Sequence, residues 1–147
     1  VLQNWEKLKA VERETNGETH KGLLDGVALA LPALTQAQEI QGRAARVGFD
    51  WPNIQGVVDK ICEECAEFVN AEDDPSRASE IGDLLFALVN LARRCNIDAE
   101  SVLRETNLRF RRRFAHIEQS ARQQDRPLTD LTLDEMEALW QAAKKIT

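Results

Sequence analysis

Acidic side chains recur at three-residue intervals in two neighbouring segments of this sequence. Glu63, Glu64 and Glu67 form an E-E-x-x-E pattern, and Glu80 and Asp83 form an E-x-x-D pattern. On a helix, residues three or four positions apart lie on one face. If both segments are helical and pack antiparallel, the last two glutamates of the first pattern face both acids of the second. Carboxylates held this close repel one another unless some are protonated or a divalent cation binds between them.

The type of ligand narrows the choice of cation. Carboxylate oxygens are hard ligands that suit Mg²⁺ or Mn²⁺, and Mg²⁺ commonly shares its coordination shell with substrate phosphates. The alternative is a solvated acidic helix face, which is the better interpretation of Glu63 taken alone. Asp83 favours the metal site, because it lies in the apolar stretch 81–88, where we expect burial and a buried acid needs a partner. The residues alone leave both interpretations open.

Two other metal chemistries are disfavoured by the residues present. A di-iron carboxylate bundle needs Glu-x-x-His pairs, and neither His20 nor His116 has a glutamate three residues before it. Cys62 and Cys65 form a C-x-x-C inside a predicted helix with no second pair. This context favours packing, at least for Cys65, over a zinc or redox site.

Basic and aromatic residues at helical spacing can complement a polyphosphate. Lys60 lies four residues before the second glutamate, and Arg109 and Arg113 form a fork that suits bidentate phosphate contacts. Trp140 and Lys144 repeat the four-residue step, which would let Trp140 stack on a base with Lys144 near the phosphates. The alternatives are a solvated basic surface for the arginines and a core or interface position for the tryptophan.

The spacing of the apolar residues predicts an all-helical protein. Gly48 indicates the end of one helix, and Asp74 followed by Pro75 predicts the N-cap and first turn of another. Thr132 with Glu135 predicts a capping box. The stretch 81–92 is so apolar that its helix should be central and buried. Short connections near 71–75 and 96–98 predict antiparallel neighbours. The predicted helices cover residues 4–14, 32–47, 53–70, 74–95, 99–124 and 132–145.

Composition excludes several other classes of protein. The 147 residues, 43% of them hydrophobic, suit a globular domain with a core. A net charge of −6 disfavours a binder of duplex nucleic acid, whose affinity depends on phosphate contacts. No apolar run approaches the ~20 residues that span a bilayer. Three cysteines and the absence of a secretory leader predict a cytoplasmic protein.

Several ordered blocks of this sequence resemble the MazG nucleotide pyrophosphohydrolases. The blocks are LLDG at 23–26, LPAL at 31–34, AARVGFDWP at 44–52, EIGDLLFALVNLARR at 80–94 and N-x-R-F-x-x-R-F at 107–114. The resemblance extends from Trp5 to Lys145. It is similar to the carboxy-terminal, catalytic half of two-domain MazG proteins, which would explain a chain that begins at Val1. We therefore divide the chain into an N-terminal helix and loop (1–21) and a MazG-like domain (22–147).

The resemblance implies an all-α NTP pyrophosphatase fold, a helical bundle completed by homodimerisation. It also implies Mg²⁺-dependent hydrolysis of an NTP or dNTP to the monophosphate and pyrophosphate, with Mn²⁺ as a possible substitute. The metal positions of the family fall on Glu64, Glu67, Glu80 and Asp83, and Glu63 would orient or deprotonate the attacking water. Its substrate-contacting positions fall on Lys60, Arg109, Arg113, Trp140 and Lys144.

Two departures from the family pattern bear on substrate preference more than on activity. Cys62 stands where the family often has a further glutamate, and Arg109 stands where it often has lysine. One alternative is a related helical pyrophosphatase that acts on dUTP or phosphoribosyl-ATP. Another is a non-catalytic helical interaction module, because one small bundle does not cover the apolar area expected on helices 53–70 and 74–95. Thermal stabilisation by Mg²⁺ would separate the module from the enzymes.

Overall fold

The computed structural model describes residues 22–146, and every regular element in that range is helical. This confirms the predicted all-α class. The helix predicted over 4–14 lies outside the described residues, so the boundary after residue 21 stays a prediction. The helices are α1 (Ala33–Arg46), α2 (Ile54–Asn70), α3 (Asp74–Arg94), α4 (Ala99–Gln123) and α5 (Leu133–Lys144), with a short 3-10 helix at Leu128–Asp130 before α5.

The ends of the helices lie close to their predicted positions, with one shift at the start of α3. Gly48 has a φ of 93°, a left-handed conformation that favours glycine, and it follows α1 as predicted. The N-cap of α3 is Asp73, whose carboxylate accepts a hydrogen bond from the Ser76 backbone N–H at 2.7 Å. The predicted cap, Asp74, is therefore wrong by one residue, because the preceding aspartate occupies the cap and leaves Asp74 in the first turn.

The chain forms two compact units, with the boundary between Glu100 and Ser101. In the amino-terminal unit α3 is central, because it packs extensively against α2 and also contacts α1. The α2–α3 connection has only three residues, 71–73, so the two helices run antiparallel. Within this unit Gln38 connects α1 to the segment after α3, since its amide donates to the Ile97 carbonyl and accepts from the Ala99 N–H.

The apolar centre of α3 is less buried than its sequence predicts. Ala87 and Val89 are buried, but Ile81, Leu85 and Leu88 are each more than 40% exposed. The expectation that this helix is buried along its whole centre is therefore wrong for the single chain. The physical reason is that α1 and α2 cover only part of the helix surface. The remaining side presents a stripe of residues at i, i+4 and i+7, which we call the α3 stripe (Ile81, Leu85 and Leu88).

The carboxy-terminal unit has its own small core. Ile117, Ala121 and Leu131 are buried together, and they bring residues of α4 and α5 and the segment between those helices into one cluster. Thr132 and Glu135 form the predicted capping box at the start of α5. The partly buried side chains around the core are Phe114, Leu128, Met136, Leu139 and Trp140.

The three cysteines are free and exposed. The prediction that Cys65 packs into the interior is therefore wrong for the single chain. The structure packs α2 against α3, and this contact leaves the side of α2 that carries Cys65 uncovered. Among the described residues, no helix has the length and apolarity that a membrane span requires.

The pH dependence of the free energy of unfolding should report the ion pair between Arg126 and Glu135 at the start of α5. Hydrogen bonds from Arg126 and from the Thr132 backbone lower the pKa of Glu135 from 4.5 to about 2. A group whose folded pKa is depressed stabilises the fold above its unfolded pKa, and this contribution disappears as the pH falls through the folded value. We expect Glu135→Gln to be less stable than the native chain at pH 7.

The stability difference should shrink as the pH falls from about 4.5 toward 2. Urea denaturation followed by circular dichroism, at a series of pH values, measures it. Glu137→Gln on the same helix is the control and should follow the native chain throughout. A deficit in Glu135→Gln that is the same at pH 7 and pH 2.5 would contradict the assignment.

Candidate metal centre and adjoining cavity

Three of the four predicted metal ligands converge between two helices. Glu64 and Glu67 of α2 and Glu80 of α3 each offer a carboxylate oxygen, and these oxygens lie within 4.8 Å of one another. Glu64 is buried, Glu80 is half-buried and Glu67 is exposed. The group therefore sits at the edge of the α2–α3 contact, open to solvent on one side.

Local sequence explains why these side chains meet. Asn53 caps α2 by accepting a hydrogen bond from the Gly56 N–H at 3.1 Å, which fixes the start of that helix. The three-residue connection then returns the chain antiparallel to itself. Glu64 and Glu80 lie at equal distances along the sequence from the middle of this connection, so the antiparallel packing brings them to a similar level. The three-residue step within α2 adds Glu67 to the same face.

Lys60 is the cation that partly neutralises the group. Its ammonium nitrogen lies 2.6 Å from a Glu64 oxygen and 2.8 Å from a Glu63 oxygen. The hydrogen bonds to Glu63 and Glu64 raise the pKa of Lys60. In return the hydrogen bond from Lys60 lowers the pKa of Glu64 in spite of its burial. Glu64 is therefore held in its ionised form, which is the form that ligates a metal.

Glu80 experiences the opposite effect. Burial raises the pKa of Glu80, and the nearby charges of Glu67, Glu64 and Asp83 raise it further. One lysine therefore does not neutralise the group, and a proton or a second cation is needed. Hard carboxylate oxygens at this separation are suited to a divalent ion such as Mg²⁺ or Mn²⁺. The residues present thus fit a metal, with Glu64, Glu67 and Glu80 as its ligands.

The other two acidic candidates have different surroundings. Asp83 is exposed and does not belong to the three-residue group. The expectation that it is buried within an apolar helix is therefore wrong, since it lies on an open side of α3. It nevertheless lines the same cavity as Glu64 and Lys60. Glu63 is exposed and pairs with Lys60.

A cavity of about 610 Å³ adjoins the acidic group in the amino-terminal unit. Lys60, Glu64 and Asp83 line it, which gives this part of the wall its charge. Most of the remaining wall is apolar, and three aromatic side chains belong to it. The apolar lining residues are Leu24, Ile40, Ala44, Phe49, Trp51, Val57, Phe86 and Ala87, and the remaining polar ones are Gln41, Asp50, Asn90 and Arg93.

An ion-pair network fixes the loop that forms one side of this cavity. The Asp50 carboxylate accepts hydrogen bonds from Arg93 at 2.6 Å and from Arg94 at 3.1 Å. Burial alone would raise the pKa of Asp50, but the hydrogen bonds from Arg93 and from the Trp51 N–H outweigh it and hold the pKa below its usual value. The Trp51 ring packs on α2 so closely that a Cβ at Gly56 would lie 2.8 Å from it.

Motif spacing does not reveal these cavity residues. Asp50 and Arg93 lie 43 positions apart, and no periodicity connects a loop residue with the last turn of a helix. Both occur in sequence blocks that resemble the MazG proteins, and this is the one signal that pointed to them. No sequence pattern predicts a binding role for Gln41, which stands out only by its position on the packed face of α1.

The remaining predicted substrate contacts lie in the carboxy-terminal unit. Arg109 donates a hydrogen bond to the Thr106 hydroxyl at 2.9 Å. Arg113 stacks over the Trp140 ring, with 5.7 Å between the guanidinium carbon and the ring centroid. Trp140 also contacts the unit's core, and Lys144 is exposed. The structure thus places Arg113 and Trp140 together, while their roles toward a substrate stay predictions.

The fold and the site define a class of protein: a helical chain in which two antiparallel helices group carboxylates that could hold a metal ion, beside an open cavity. Residues 54–117, which comprise α2, α3 and much of α4, match the MazG nucleotide pyrophosphohydrolase domain. This match confirms the predicted resemblance to the MazG family over residues 54–117.

Similar proteins occur in distant bacteria. The chain is 40% identical to the nucleoside triphosphate pyrophosphohydrolase of Escherichia coli K12 and 37% identical to the nucleoside triphosphate pyrophosphohydrolase/pyrophosphatase MazG of Thermotoga maritima. These alignments cover 99% and 97% of this chain but only 56% and 54% of the relatives. It is also 42% identical to the uncharacterized protein YabN of Bacillus subtilis, of which it covers 30%. The chain thus spans about half the length of the first two relatives.

The metal assignment can be tested by direct binding. We expect the chain to bind Mn²⁺, and Glu80→Gln to bind it about ten-fold more weakly or worse, because one charged ligand is lost. Affinity should also fall at acid pH, since protons compete for the same carboxylates. Electron paramagnetic resonance of free Mn²⁺ measures both effects.

Glu72→Gln is the matched control for this test. It removes an exposed carboxylate from the α2–α3 connection, outside the three-residue group, and should bind Mn²⁺ as the native chain does. Equal weakening in both variants would indicate a general charge effect instead of a site. Native affinity in Glu80→Gln would exclude Glu80 as a ligand.

Proposed function

We propose that this chain hydrolyses nucleoside triphosphates to the nucleoside monophosphate and pyrophosphate. The observation that carries the proposal is the convergence of Glu64, Glu67 and Glu80 within the segment that matches the MazG domain. The names of the similar Escherichia coli and Thermotoga maritima proteins describe the same activity for those proteins. The adjoining cavity is within the size range of small-molecule sites.

Mg²⁺ is the proposed cofactor, and Mn²⁺ the proposed substitute. Glu64, Glu67, Glu80 and Asp83 are the residues that would hold it. Asp83 is exposed and lines the cavity beside this group, so its carboxylate is accessible to an ion bound there. When bound, the ion would neutralise phosphate charge and make water a better nucleophile.

The protein's own residues would direct the attack on the α-phosphorus. A water oxygen forms a bond to this phosphorus as the bridging bond to the β-phosphate breaks, and pyrophosphate leaves with the bridging oxygen. Glu63 would orient this water and accept its proton. Lys60 now pairs with Glu63 at 2.8 Å. If Lys60 turned toward the triphosphate, the Glu63 carboxylate would be released from this ion pair and free to hold the water.

Cationic side chains would stabilise the negative charge of the leaving group. We assign this role to Lys60, Arg109 and Arg113, with Lys144 as a further phosphate contact. The prediction that Trp140 stacks on the base is retained as part of this proposal. Its ring already contacts Phe110, at 5.1 Å between centroids, and Arg113. Stacking by Trp140 therefore requires that part of its ring stays open.

A homodimer is the proposed assembly. The α3 stripe is apolar and more than 40% exposed along three helical positions. A second copy of the chain would bury it, in agreement with the dimer that the family resemblance implies. This exposed stripe is also what a non-catalytic interaction module would present, but such a module does not require grouped carboxylates.

Activity on dUTP or phosphoribosyl-ATP stays an alternative to hydrolysis of the common triphosphates. The cytoplasmic location stays a prediction.

Turnover should depend on the acidic group, whereas the folded structure should form without it. We expect Glu67→Gln and Asp83→Asn to lower the rate of pyrophosphate release by at least about 10²-fold, because each removes a charged oxygen from the reacting centre. Pyrophosphate detection with a panel of NTPs and dNTPs, including dUTP, measures this rate. Circular dichroism should show unchanged helix content.

Asp59→Asn serves as the matched control, since Asp59 is exposed on α2 and contacts Gln55 instead of the acidic group. It should retain native turnover. Full activity in Asp83→Asn or Glu67→Gln would refute the role of that residue, and absence of hydrolysis of every nucleotide by the native chain would refute the enzyme proposal.

Assembly can be tested separately from turnover. A charge in the α3 stripe, Leu85→Glu, should shift the chain from dimer to monomer, because a buried unpaired carboxylate opposes association. Analytical ultracentrifugation measures the change. Leu133→Glu places the same charge at an apolar residue of α5 that is 80% exposed, and should leave the assembly unaltered. A monomeric native chain would contradict the proposed dimer.

A further inference from the structure

A buried amide of α1 is only half satisfied. Gln41 is 7% exposed, and its side-chain N–H donates a hydrogen bond to the Phe86 carbonyl at 2.8 Å. Its side-chain oxygen is also buried, and it has no hydrogen-bond partner among residues 22–146. Gln41 is thus a polar side chain whose acceptor is unused although its donor is fixed.

The orientation of this amide is determined by its surroundings. Exchanging the nitrogen and the oxygen would place two oxygens against each other at the Phe86 carbonyl, so the observed orientation is the favourable one. A buried acceptor without a partner destabilises a folded protein, and most such groups are paired with protein, water or ligand. An N–H or O–H donor from outside the described chain would remove this deficit.

Gln41 lines the cavity that adjoins the acidic group. Close to it the wall is formed by Phe86, Ile40 and other apolar side chains, with Trp51 as a further aromatic surface. Lys60 and Glu64 line the same cavity. A molecule that fills the cavity therefore meets the charged groups of Lys60 and Glu64, flat apolar surfaces and the unused acceptor of Gln41.

The heterocyclic base of a nucleotide matches the apolar surfaces and the unused acceptor of this wall. Its ring is planar and apolar on both faces, which suits contact with aromatic side chains. Its edge carries N–H groups that need acceptors. The amide of Gln41 has a soft terminal torsion, so a small rotation would turn its oxygen toward the cavity.

We infer that Gln41 is a specificity-determining residue, which accepts a hydrogen bond from an N–H on the edge of the base while the apolar cavity wall holds the ring. This inference rests on the proposed function, because it assumes that a nucleotide binds here with its phosphates toward Lys60 and the acidic group. It concerns the edge of the base, whereas the predicted stacking by Trp140 concerns the face of the ring.

Binding of nucleoside monophosphates tests the inference without requiring hydrolysis. The members of two pairs of ligands differ by one donor group on the base edge: AMP and purine riboside 5′-monophosphate differ by the exocyclic amino group, and UMP and N3-methyl-UMP differ by the N3–H. In the native chain, loss of the donor should weaken binding about ten-fold in at least one pair. In Gln41→Met, which keeps the length of the side chain but removes the acceptor, the two members of each pair should bind equally. Isothermal titration calorimetry gives the dissociation constants.

Two controls separate base recognition from general damage. Gln55→Met makes the same substitution at an exposed glutamine of α2 outside the cavity lining, and should keep the difference within each pair. Ribose 5-phosphate has no base and should bind equally to all three proteins. If Gln41→Met does not fold, the side-chain amide resonance of Gln41 in the native chain replaces it. This resonance should move with AMP or UMP and not with ribose 5-phosphate.

The outcomes distinguish this inference from the proposed function. A native chain that releases pyrophosphate from NTPs, but shows no preference within either pair, refutes the inference and leaves the activity intact. The same holds if Gln41→Met keeps the native preference, which would place base recognition elsewhere, for example at Trp140. A chain that binds AMP or UMP with the predicted preference yet hydrolyses no triphosphate supports the inference and refutes the enzyme proposal.

Discussion

Repulsion among carboxylates at the α2–α3 contact is the interaction that organises this chain. Two packed helices normally place apolar side chains along their contact, and here they place Glu64, Glu67 and Glu80 at its edge. The three-residue connection makes this arrangement hard to avoid, since it fixes the relative level of the two helices. Lys60 relieves part of the repulsion by pairing with Glu64. The remaining repulsion favours a proton or a cation at this edge of the helical hairpin.

The same hairpin also builds one side of the cavity, which explains why the acidic group and the apolar walls adjoin. Val57 and Phe86 come from the two helices that carry the glutamates, and Trp51 comes from the loop just before α2. Asp50 holds this loop against the end of α3 through Arg93 and Arg94. Any motion of the loop would therefore break charged hydrogen bonds, and we expect the cavity wall to keep its shape when the cavity is empty.

Local spacing predicted the helices and the acidic group because both depend on residues close in sequence. The Thr132–Glu135 capping box and the stop at Gly48 are decided within one helical turn. The convergence of Glu67 with Glu80 required only one further assumption, that a three-residue connection makes its helices antiparallel. Long-range contacts gave no such signal. Gln41 bonds to the backbone of Phe86, 45 positions away, and no local pattern encodes which carbonyl a packed amide will meet.

The errors in the prediction share one cause, which is that hydrophobicity indicates what a residue prefers and not what its neighbours cover. The α3 helix is apolar enough for full burial, yet α1 and α2 leave Leu85 half exposed. Asp83 was expected to be buried for the same reason and lies open to the cavity instead.

These two errors concern different sides of a single helix. The α3 stripe lies at i, i+4 and i+7 on one side of α3, whereas Glu80 lies at the contact with α2 and Asp83 lines the cavity. Burial already raises the pKa of Glu80 in the single chain. A second copy packed on the stripe would cover the apolar side of α3 and leave the acids facing α2 and the cavity, where their charge would still favour a proton or a cation. Assembly and cation binding would then stabilise the same helix from different sides.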